Sequence, residues 1–360
     1  MAHKRLEAAI LAGHEIGDYS DLSNKYGQIK QENTSDPLIK THKVSLPLDR
    51  WGIYSIKYNH DGKKLAVGFG NGGIFVVDHK SGIKLHDVTH GHRKGLAVMA
   101  LHYLKEELII SAGASGKINL WEQTPAVGKS LEPTVSITEE KNEINTLDVC
   151  RDGHFFATAG KDRHIRLYDA NTFQLHRTIV APDYINMDEV SIYTGHTKRI
   201  FALKFHPEDN NLFLTAGWDD CVKLWDKRIP RNAKCSIPGP HICGAALDLK
   251  DNHILTGSWS AKNSLQLWDL RSGLLNKTLP FPHDEKSEGE FLYCAKFANQ
   301  NTVVAGGSGT NSACILNVNT DRLLGLVHSK KPVLTLDSCN NGKQLAVAGI
   351  GGNLQLTSIV

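Results

Sequence analysis

Residues 215–228 read TAGWDDCVKLWDKR and contain the strand and turn signals on which the fold assignment depends. Its last part alternates apolar and polar residues, as a half-buried β-strand does. The preceding Gly-Trp-Asp-Asp cluster is typical of a tight turn, because Gly and Asp accept backbone conformations that most residues avoid. Strand, turn and strand therefore follow one another directly. The bulky Trp218 in that turn needs an explanation, since a small polar residue would be enough to make it.

The same pattern of strands and turns occurs seven times along the chain. In chain order the units span 51–78, 91–122, 144–169, 195–228, 241–271, 291–319 and 333–360. Each unit contains alternating apolar segments separated by Gly, Asn and Asp turns, and long helical periodicity is absent. The ends of the strongest strands are 41 to 57 residues apart. A repeat of this length with four short strands predicts an all-β propeller with one blade per unit.

Several units contain the two short signatures of a known family. The literal matches are Trp225-Asp226, Trp268-Asp269, Gly91-His92 and Gly195-His196. In these residues the chain resembles the WD-repeat β-propeller family, and the resemblance covers residues 41–360. It implies a seven-bladed β-propeller of WD-repeat type. The first, sixth and seventh units lack both signatures, so their assignment depends on strand pattern and spacing.

The last unit has only three strands before the sequence ends. An unpaired outer edge would be prone to aggregation. The run HKVSLPL at 42–48 looks like the missing strand, and the family often closes its ring in this way. We therefore expect an N-terminal strand to pair with the C-terminal blade. Residues 1–40 are predicted to be an N-terminal extension that is partly helical or loosely ordered.

The resemblance also implies a line of hydrogen bonds across a blade. In the family it joins a His, a hydroxyl residue, an Asp and a Trp, and the fourth unit matches with His196, Thr215, Asp219 and Trp225. The residue types suit the task, because Asp accepts from a His N–H while the indole N–H only donates. These four residues are predicted to be structural. The third unit departs from the pattern, with no His near Glu140.

Composition restricts the class of partner and the compartment. The net charge is +3 over 360 residues, which predicts no specific binding of nucleic acid. The N-terminal apolar run is too short for a signal peptide or a membrane span, so we expect no membrane insertion. The seven cysteines are odd in number and contain no CxxC, which favours a reducing compartment. The sequence therefore predicts an intracellular protein of the cytoplasm or nucleus.

The motif that would indicate a cofactor lacks the structural context that it requires. GFGNGG at 68–73 matches G-x-G-x-x-G, but a strand-like segment follows it where a dinucleotide fold needs a helix. Neither a cofactor nor a metal site is predicted. The favoured function is a non-enzymatic scaffold that binds other proteins or peptides on the faces of the ring, as a subunit of a larger complex. An enzyme with acid and base groups around the central channel is the alternative from another class.

A second alternative comes from two repeated tetrapeptides. Both Trp225–Arg228 and Trp268–Arg271 read WDxR. This resembles the motif in substrate receptors of cullin-RING ubiquitin ligases, where paired copies contact the ligase adaptor. The resemblance implies adaptor contacts by Arg228 and Arg271. Such a motif also occurs by chance, and an Arg after a strand also pairs with nearby carboxylates.

The turn residue Trp218 leads to a hypothesis about partner binding. Asp219 is directed inward by its place in the hydrogen-bond line, so Trp218 is expected on the top face of the ring. Aligned units put Lys161 and Trp259 at the same point, and Arg199 and Trp51 just before first strands. Exposed Trp beside cations has the composition of an interface hot spot. The competing interpretation is that each indole folds down over the turn of its own blade.

Overall fold

The computed structural model describes residues 39–88, 91–123, 132–182, 195–229, 232–282 and 289–359. Within these ranges, 28 strands form seven four-stranded antiparallel sheets. The sheets follow one another around a ring, and the first strand of each blade contacts the first strand of the next. The predicted all-β, seven-bladed propeller is confirmed.

Six blades consist of four consecutive strands each. Blade 1 has β2 (Ile53–Tyr58), β3 (Lys64–Phe69), β4 (Ile74–Asp78) and β5 (Lys84–Val88). Blade 2 has β6 (Val98–Lys105), β7 (Leu108–Gly113), β8 (Lys117–Glu122) and β9 (Val135–Thr138). Blade 3 has β10 (Ile144–Val149), β11 (Phe155–Gly160), β12 (Ile165–Asp169) and β13 (Leu175–Ile179). Blade 4 has β14 (Ile200–Phe205), β15 (Leu212–Gly217), β16 (Cys221–Asp226) and β17 (Cys235–Pro238). Blade 5 has β18 (Leu247–Lys250), β19 (His253–Gly257), β20 (Leu265–Asp269) and β21 (Leu275–Thr278). Blade 6 has β22 (Leu292–Phe297), β23 (Thr302–Gly307), β24 (Ser312–Asn317) and β25 (Leu323–His328).

Blade 7 joins the two ends of the described chain. Its strands are β26 (Val333–Cys339), β27 (Gln344–Gly349), β28 (Asn353–Ile359) and the N-terminal β1 (Ile39–Ser45). Strand β1 pairs antiparallel with β28 along its whole length. The predicted closure of the ring is therefore confirmed. Of the predicted extension, residues 1–38 lie outside the described residues.

The closing strand lies three residues earlier than the sequence pattern predicted. It covers 39–45 instead of 42–48. The reason lies in the residues that follow it. Pro47 has no N–H to donate to a ladder, and Leu48–Arg50 turn away as a 3₁₀ helix. The strand has to end before this corner, and the pairing extends in the other direction to Ile39.

The apolar core lies between blades. Trp225 of blade 4 is almost fully buried and belongs to one apolar cluster with Ala157 and Leu167 of blade 3. Trp121 of blade 2 packs in the same way against Val76 of blade 1. Burial of a large apolar side chain stabilises a fold by about 1.5–3 kcal/mol. Each blade depends on its neighbours for this stabilisation, which is why the ring has to close.

Blade 4 contains the complete hydrogen-bond line. Nδ1 of His196 lies 2.9 Å from Asp219, and its Nε2 lies 2.6 Å from Oγ1 of Thr215. The indole N–H of Trp225 donates to the same hydroxyl at 2.7 Å. The backbone N–H of Thr197 donates to the second carboxylate oxygen at 3.0 Å. Burial opposes the charge of Asp219, but the bond from His196, the Thr197 N–H and the charge of Lys223 together outweigh it and hold the pKa of Asp219 below its ordinary value.

Blade 2 has the same line without the carboxylate. His92 contacts Ser111 at 2.9 Å and Ser115 at 3.1 Å, and Trp121 donates to Ser111 at 2.8 Å. Ser115 stands where blade 4 has Asp219. With no carboxylate beside the ring, burial and the nearby charge of Lys117 lower the pKa of His92 to about 4. The imidazole is therefore neutral at pH 7.

Blade 3 replaces the His by an acid. The buried carboxylate of Glu139 accepts from Thr158 at 2.5 Å and from the Tyr168 hydroxyl at 2.9 Å. Its other oxygen accepts from Asn142 at 2.6 Å and from Arg166 at 3.1 Å. The sequence comparison pointed to Glu140, one position away. The loop therefore delivers a charged acceptor in place of the imidazole, and the line is complete.

Candidate partner-binding surface

The predicted partner residues lie at one end of the ring, here called the top face. This end carries the loops before each first strand and the turns between second and third strands. Backbone hydrogen bonds join the two sets: Trp218 N–H donates to Arg199 O, and Trp259 N–H donates to His241 O. Lys161 N–H donates to Glu143 O in the same way. The structure thus places Trp51, Lys161, Arg199, Trp218 and Trp259 on one face.

Three of these residues form a connected chain through an acid that the sequence analysis missed. Glu143 pairs with Lys161 at 2.5 Å and with Arg199 at 2.9 Å. The guanidinium of Arg199 in turn lies 5.7 Å from the ring centre of Trp218. Burial disfavours the charge of Glu143, yet its two cations hold its pKa below the ordinary value. Both cations are therefore already partly neutralised, and the surface is less basic than the sequence suggested.

The two turn tryptophans are half-buried and not freely exposed as expected. Trp218 packs against Phe201 at a tilt of 35° with ring centres 5.0 Å apart, and its N–H donates to Cys243 of the next blade at 3.1 Å. Trp259 packs against Phe291 and donates to the Tyr293 hydroxyl at 3.1 Å. A buried indole N–H needs an acceptor, and here the neighbouring blade supplies it. Trp218 therefore connects blade 4 to blade 5 across the top of the ring.

Trp51 differs from the other two because its side chain is 61% exposed. Its backbone adopts a left-handed conformation with φ of 60° at the end of the 3₁₀ helix. Such a conformation is rare for a bulky residue and costs about 1–3 kcal/mol. A Cβ added to Gly95 would lie 3.5 Å from the indole, so the ring lies over the loop of blade 2. The exposed cations Arg93 and Lys94 belong to that loop.

The two WDxR arginines lie at the opposite end of the ring, in adjacent blades. Arg228 makes two hydrogen bonds to Asp226, at 2.8 and 2.6 Å, although its side chain is 64% exposed. These bonds lower the pKa of Asp226 to about 2. Arg271 is exposed, and Asp269 accepts from Ser272 instead. In the first copy of the motif, Asp226 fixes the guanidinium of Arg228. In the second copy, Asp269 does not bind the guanidinium of Arg271.

A possible metal-ligand cluster has another explanation. Among the described residues, His196, Asp219 and Cys221 bring three ligand atoms within 4.8 Å of one another. His196 is fully buried and already bonded to Asp219 and Thr215. Burial raises the pKa of Cys221 to about 12, so it remains a thiol. The cluster therefore fits the hydrogen-bond line of blade 4.

The central channel carries a ring of charges that the sequence analysis missed. One residue near the end of each innermost strand faces the channel, in blade order Lys57, His102, Asp148, Lys204, Asp248, Lys296 and Asp337. Acids and bases alternate around this ring except at His102. The sequence does contain a signal for this ring. A charged residue occupies the fifth position of the first strand in several units, as in IYSIKY, INTLDV, IFALKF and LYCAKF.

Ion pairs connect most of the channel charges. Lys204 lies 3.9 Å from Asp148 and 3.6 Å from Asp248. Asp337 pairs with Lys296 and lies 3.9 Å from Lys57. These groups are the titratable residues that an enzyme in the channel would use, and they are engaged with one another.

Comparison with known proteins agrees with this architecture. Residues 131–169 and 187–226, which contain the third and fourth units, match the family model "WD domain, G-beta repeat". Within the described residues, no helix is long and apolar enough to cross a membrane.

Curated relatives with related sequences include subunits and factors from several organisms. Histone acetyltransferase type B subunit 2 of Candida glabrata is 25% identical over 210 residues, 56% of this chain and 46% of that protein. Target of rapamycin complex subunit wat1 of Schizosaccharomyces pombe is 29% identical over 123 residues, 34% of this chain and 33% of that protein. Pre-mRNA-processing factor 19 of Oryza sativa subsp. japonica is 23% identical over 343 residues, 93% of this chain and 58% of that protein. The chain thus spans 33 to 58% of the length of these relatives. With its seven blades, the hydrogen-bond line of blade 4 and these matches, the chain is a seven-bladed β-propeller that contains WD repeats.

Proposed function

We propose that this protein is a non-enzymatic scaffold that binds another protein or a peptide on its top face, as a subunit of a larger complex. The observation that carries the proposal is Trp51, a largely exposed indole in a left-handed backbone conformation. Tryptophan is the residue most enriched at interface hot spots, with arginine and tyrosine. The names of the relatives support the class, since two of them are called subunits.

The top face offers a partner both an anchor and a rigid surrounding surface. Trp51 provides exposed apolar area with the cations Arg93 and Lys94 beside it. Trp218 and Trp259 are fixed by hydrogen bonds to the next blade, so a partner would bind to a surface that is already ordered. A surface that is already ordered loses little side-chain entropy on binding. We place the protein inside the cell, in the cytoplasm or nucleus, because its seven cysteines are unpaired.

The test compares Trp51→Ala with Leu274→Ala in the tagged full-length chain. Leu274 is a matched control, because it is 69% exposed and lies at the other end of the ring. We expect Trp51→Ala to lose bound partners in quantitative purification from native cells, with an unchanged melting temperature. Leu274→Ala should retain them. Equal recovery of partners with Trp51→Ala and the unmutated chain would contradict the proposal.

Trp218→Ala with Trp259→Ala has a different expected outcome. Both indoles are half-buried and bonded across a blade boundary, so the double variant should melt at a lower temperature as well as lose binding. Loss of binding with an unchanged melting temperature would show that these indoles contribute to the partner contact alone. Thermal unfolding of the purified variants, followed by circular dichroism, separates the two results.

The arginines Arg228 and Arg271 support a second candidate, a substrate receptor of a cullin-RING ubiquitin ligase. Both follow the third strand of adjacent blades, and both are exposed at the same end of the ring. One adaptor surface would reach the two guanidinium groups together. Arg228→Ala with Arg271→Ala should abolish co-purification with the adaptor while the melting temperature changes little. If the unmutated chain recovers no adaptor, this candidate is wrong.

A further inference from the structure

We propose that the central channel binds a small tetrahedral oxyanion, such as phosphate or sulfate, through the ammonium groups of Lys57, Lys204 and Lys296. The site is independent of the top face and of the proposed partner. Its three cations come from blades 1, 4 and 6, so they approach the channel axis from well-separated directions. Converging N–H donors of this kind suit an anion with oxygens on all sides.

The lysines reach further into the channel than the acids do. The side chains of Lys57, Lys204 and Lys296 are 22 to 26% exposed, whereas those of the three aspartates are 4 to 9% exposed. The aspartates are also drawn back by backbone donors of the next blade. Asp337 accepts from Tyr58 N–H at 2.8 Å, for example, and Asp248 from Phe297 N–H at 2.9 Å. The surface that faces the channel is therefore richer in positive charge than the neutral sum suggests.

Asp148 follows the same rule. One of its oxygens accepts from Phe205 N–H at 2.8 Å. All three acids of the ring thus use one oxygen to hold the neighbouring blade. Each acid is partly neutralised by a backbone dipole. An entering anion would meet three ammonium groups, and three carboxylates that each already accept from a backbone N–H.

The size of the channel suits the ligand. The cavity lined by the charged ring has a volume of about 130 Å³. This volume exceeds the ~30 Å³ that one water molecule occupies in the liquid. A small tetrahedral oxyanion therefore has room to enter.

The ring also has one place where two basic residues are neighbours. Seven positions cannot alternate perfectly, and His102 occupies the odd one between Lys57 and Asp148. Nδ1 of His102 faces the carbonyl of Tyr103 at 2.9 Å, and Nε2 lies 3.5 Å from Asp148. Among the described residues, Lys57 forms its ion pair with Asp337, which also pairs with Lys296. An anion beside Lys57 would supply a negative charge that Lys57 does not share with Lys296.

The titration of Lys57 agrees with this arrangement. Burial, together with the positive charges of Lys296 and Lys204, lowers the pKa of Lys57 to about 8. The attraction of Asp337 and of Asp148 opposes this shift. The more fully paired Lys204 behaves in the opposite way, because Asp148 and Asp248 raise its pKa. An anion bound in the ring would raise the pKa of Lys57 and draw a proton from solution.

The experiment titrates the full chain with sodium phosphate and with sulfate at pH 7 and constant ionic strength, using isothermal calorimetry. We expect one saturable site, at least tenfold weaker in Lys57→Gln. Lys80→Gln is the matched control, because Lys80 is exposed on the outside of blade 1 and should leave the affinity unchanged. Equal affinities of Lys57→Gln and the unmutated chain, or no saturable binding, would overturn the proposal.

A second measurement keeps the proposal testable if Lys57→Gln does not fold. Titration of the unmutated chain at pH 8, in two buffers that differ in ionisation enthalpy, should show uptake of up to about half a proton per bound anion. Binding without proton uptake would contradict the assigned position of the anion. A phosphoserine peptide forms the other arm. If it binds in the channel and free phosphate does not, the ligand is a partner side chain and the proposal of a free anion is wrong.

Discussion

Blades 3 and 4 are neighbours and both match the family model, but they place the buried negative charge at opposite ends of the hydrogen-bond line. In blade 4 the acid is Asp219 in the turn, and the loop supplies the imidazole of His196. In blade 3 the loop supplies the acid, Glu139. The acid of its turn, Asp162, pairs with Arg166 at 2.6 Å.

The comparison shows that a blade needs every donor and acceptor of its hydrogen-bond line to be paired. It does not need a fixed set of residues. In both blades a threonine on the second strand hydrogen-bonds to the loop residue. The threonine of blade 4 accepts from an indole, while Glu139 itself accepts from a phenol. A buried carboxylate is tolerated in either place because several donors surround it.

The largest effect is expected from Glu139→Ala. The change leaves the hydroxyls of Thr158 and Tyr168 without their acceptor in a buried site, and Arg166 keeps only Asp162 of its two acids. Removing one partner of a buried ion pair costs about 3–5 kcal/mol. Urea unfolding of the purified chain should show this loss in the free energy of unfolding.

The adjacent acid is the control for that measurement. Glu140 is exposed, and Glu140→Ala should change the free energy of unfolding by less than about 0.5 kcal/mol. If both variants lose the same stability, the line of blade 3 does not depend on Glu139.

A smaller loss is expected from Asp219→Ala in blade 4. His196 and the Thr197 N–H lose their acceptor, which costs about 1–3 kcal/mol. The neighbouring Asp220→Ala removes only an exposed contact with His241 and should cost less. Equal losses for the two variants would mean that the carboxylate of Asp219 contributes nothing specific.

The smallest effect is expected in blade 2, where the stability of the fold should depend on pH. The pKa of His92 is about 4 when folded and about 6.5 when unfolded. The unfolded chain therefore binds the proton first on acidification. The contribution of His92 to stability is complete above pH 6.5 and is lost as the pH falls from 6.5 towards 4.

Ser115→Asp should reduce that loss by giving His92 the carboxylate that blade 4 has. We expect a gain of about 1 kcal/mol at pH 7, a higher pKa of His92, and a shallower fall of stability towards pH 4. Urea unfolding at pH 7 and pH 5, with the histidine resonances followed by NMR, measures both. An unchanged pKa of His92 would show that the new carboxylate does not reach the ring.

The fold was predictable because its signals are local and repeated. Alternation, turn residues and repeat length identify seven blades, and the three-stranded last unit indicates how the ring closes. The end of the closing strand was less predictable, since Pro47 and the following 3₁₀ corner decide it. A pattern of alternation does not show where a corner begins.

The candidate site was predictable in its location but not in its burial. The turn position of Trp218 determined the face, whereas its exposure depends on Phe201 and Cys243, which come from two different blades. Glu139 was missed for the same reason, because one residue of loop length decides which of two adjacent acids turns inward. Contacts between distant segments have no signature within a single repeat.

The pairing of β1 with β28 has a consequence for how the protein folds. It joins Ser45 to Asn353 and Ile39 to Ile359. Bringing together segments separated by roughly 300 residues costs on the order of 5 kcal/mol of loop-closure entropy. During synthesis, β1 leaves the ribosome long before its partner exists, so its edge stays unpaired while the blades between them are made. Closure is therefore expected as a late, slow step, and the partly built ring is the species most open to misassembly.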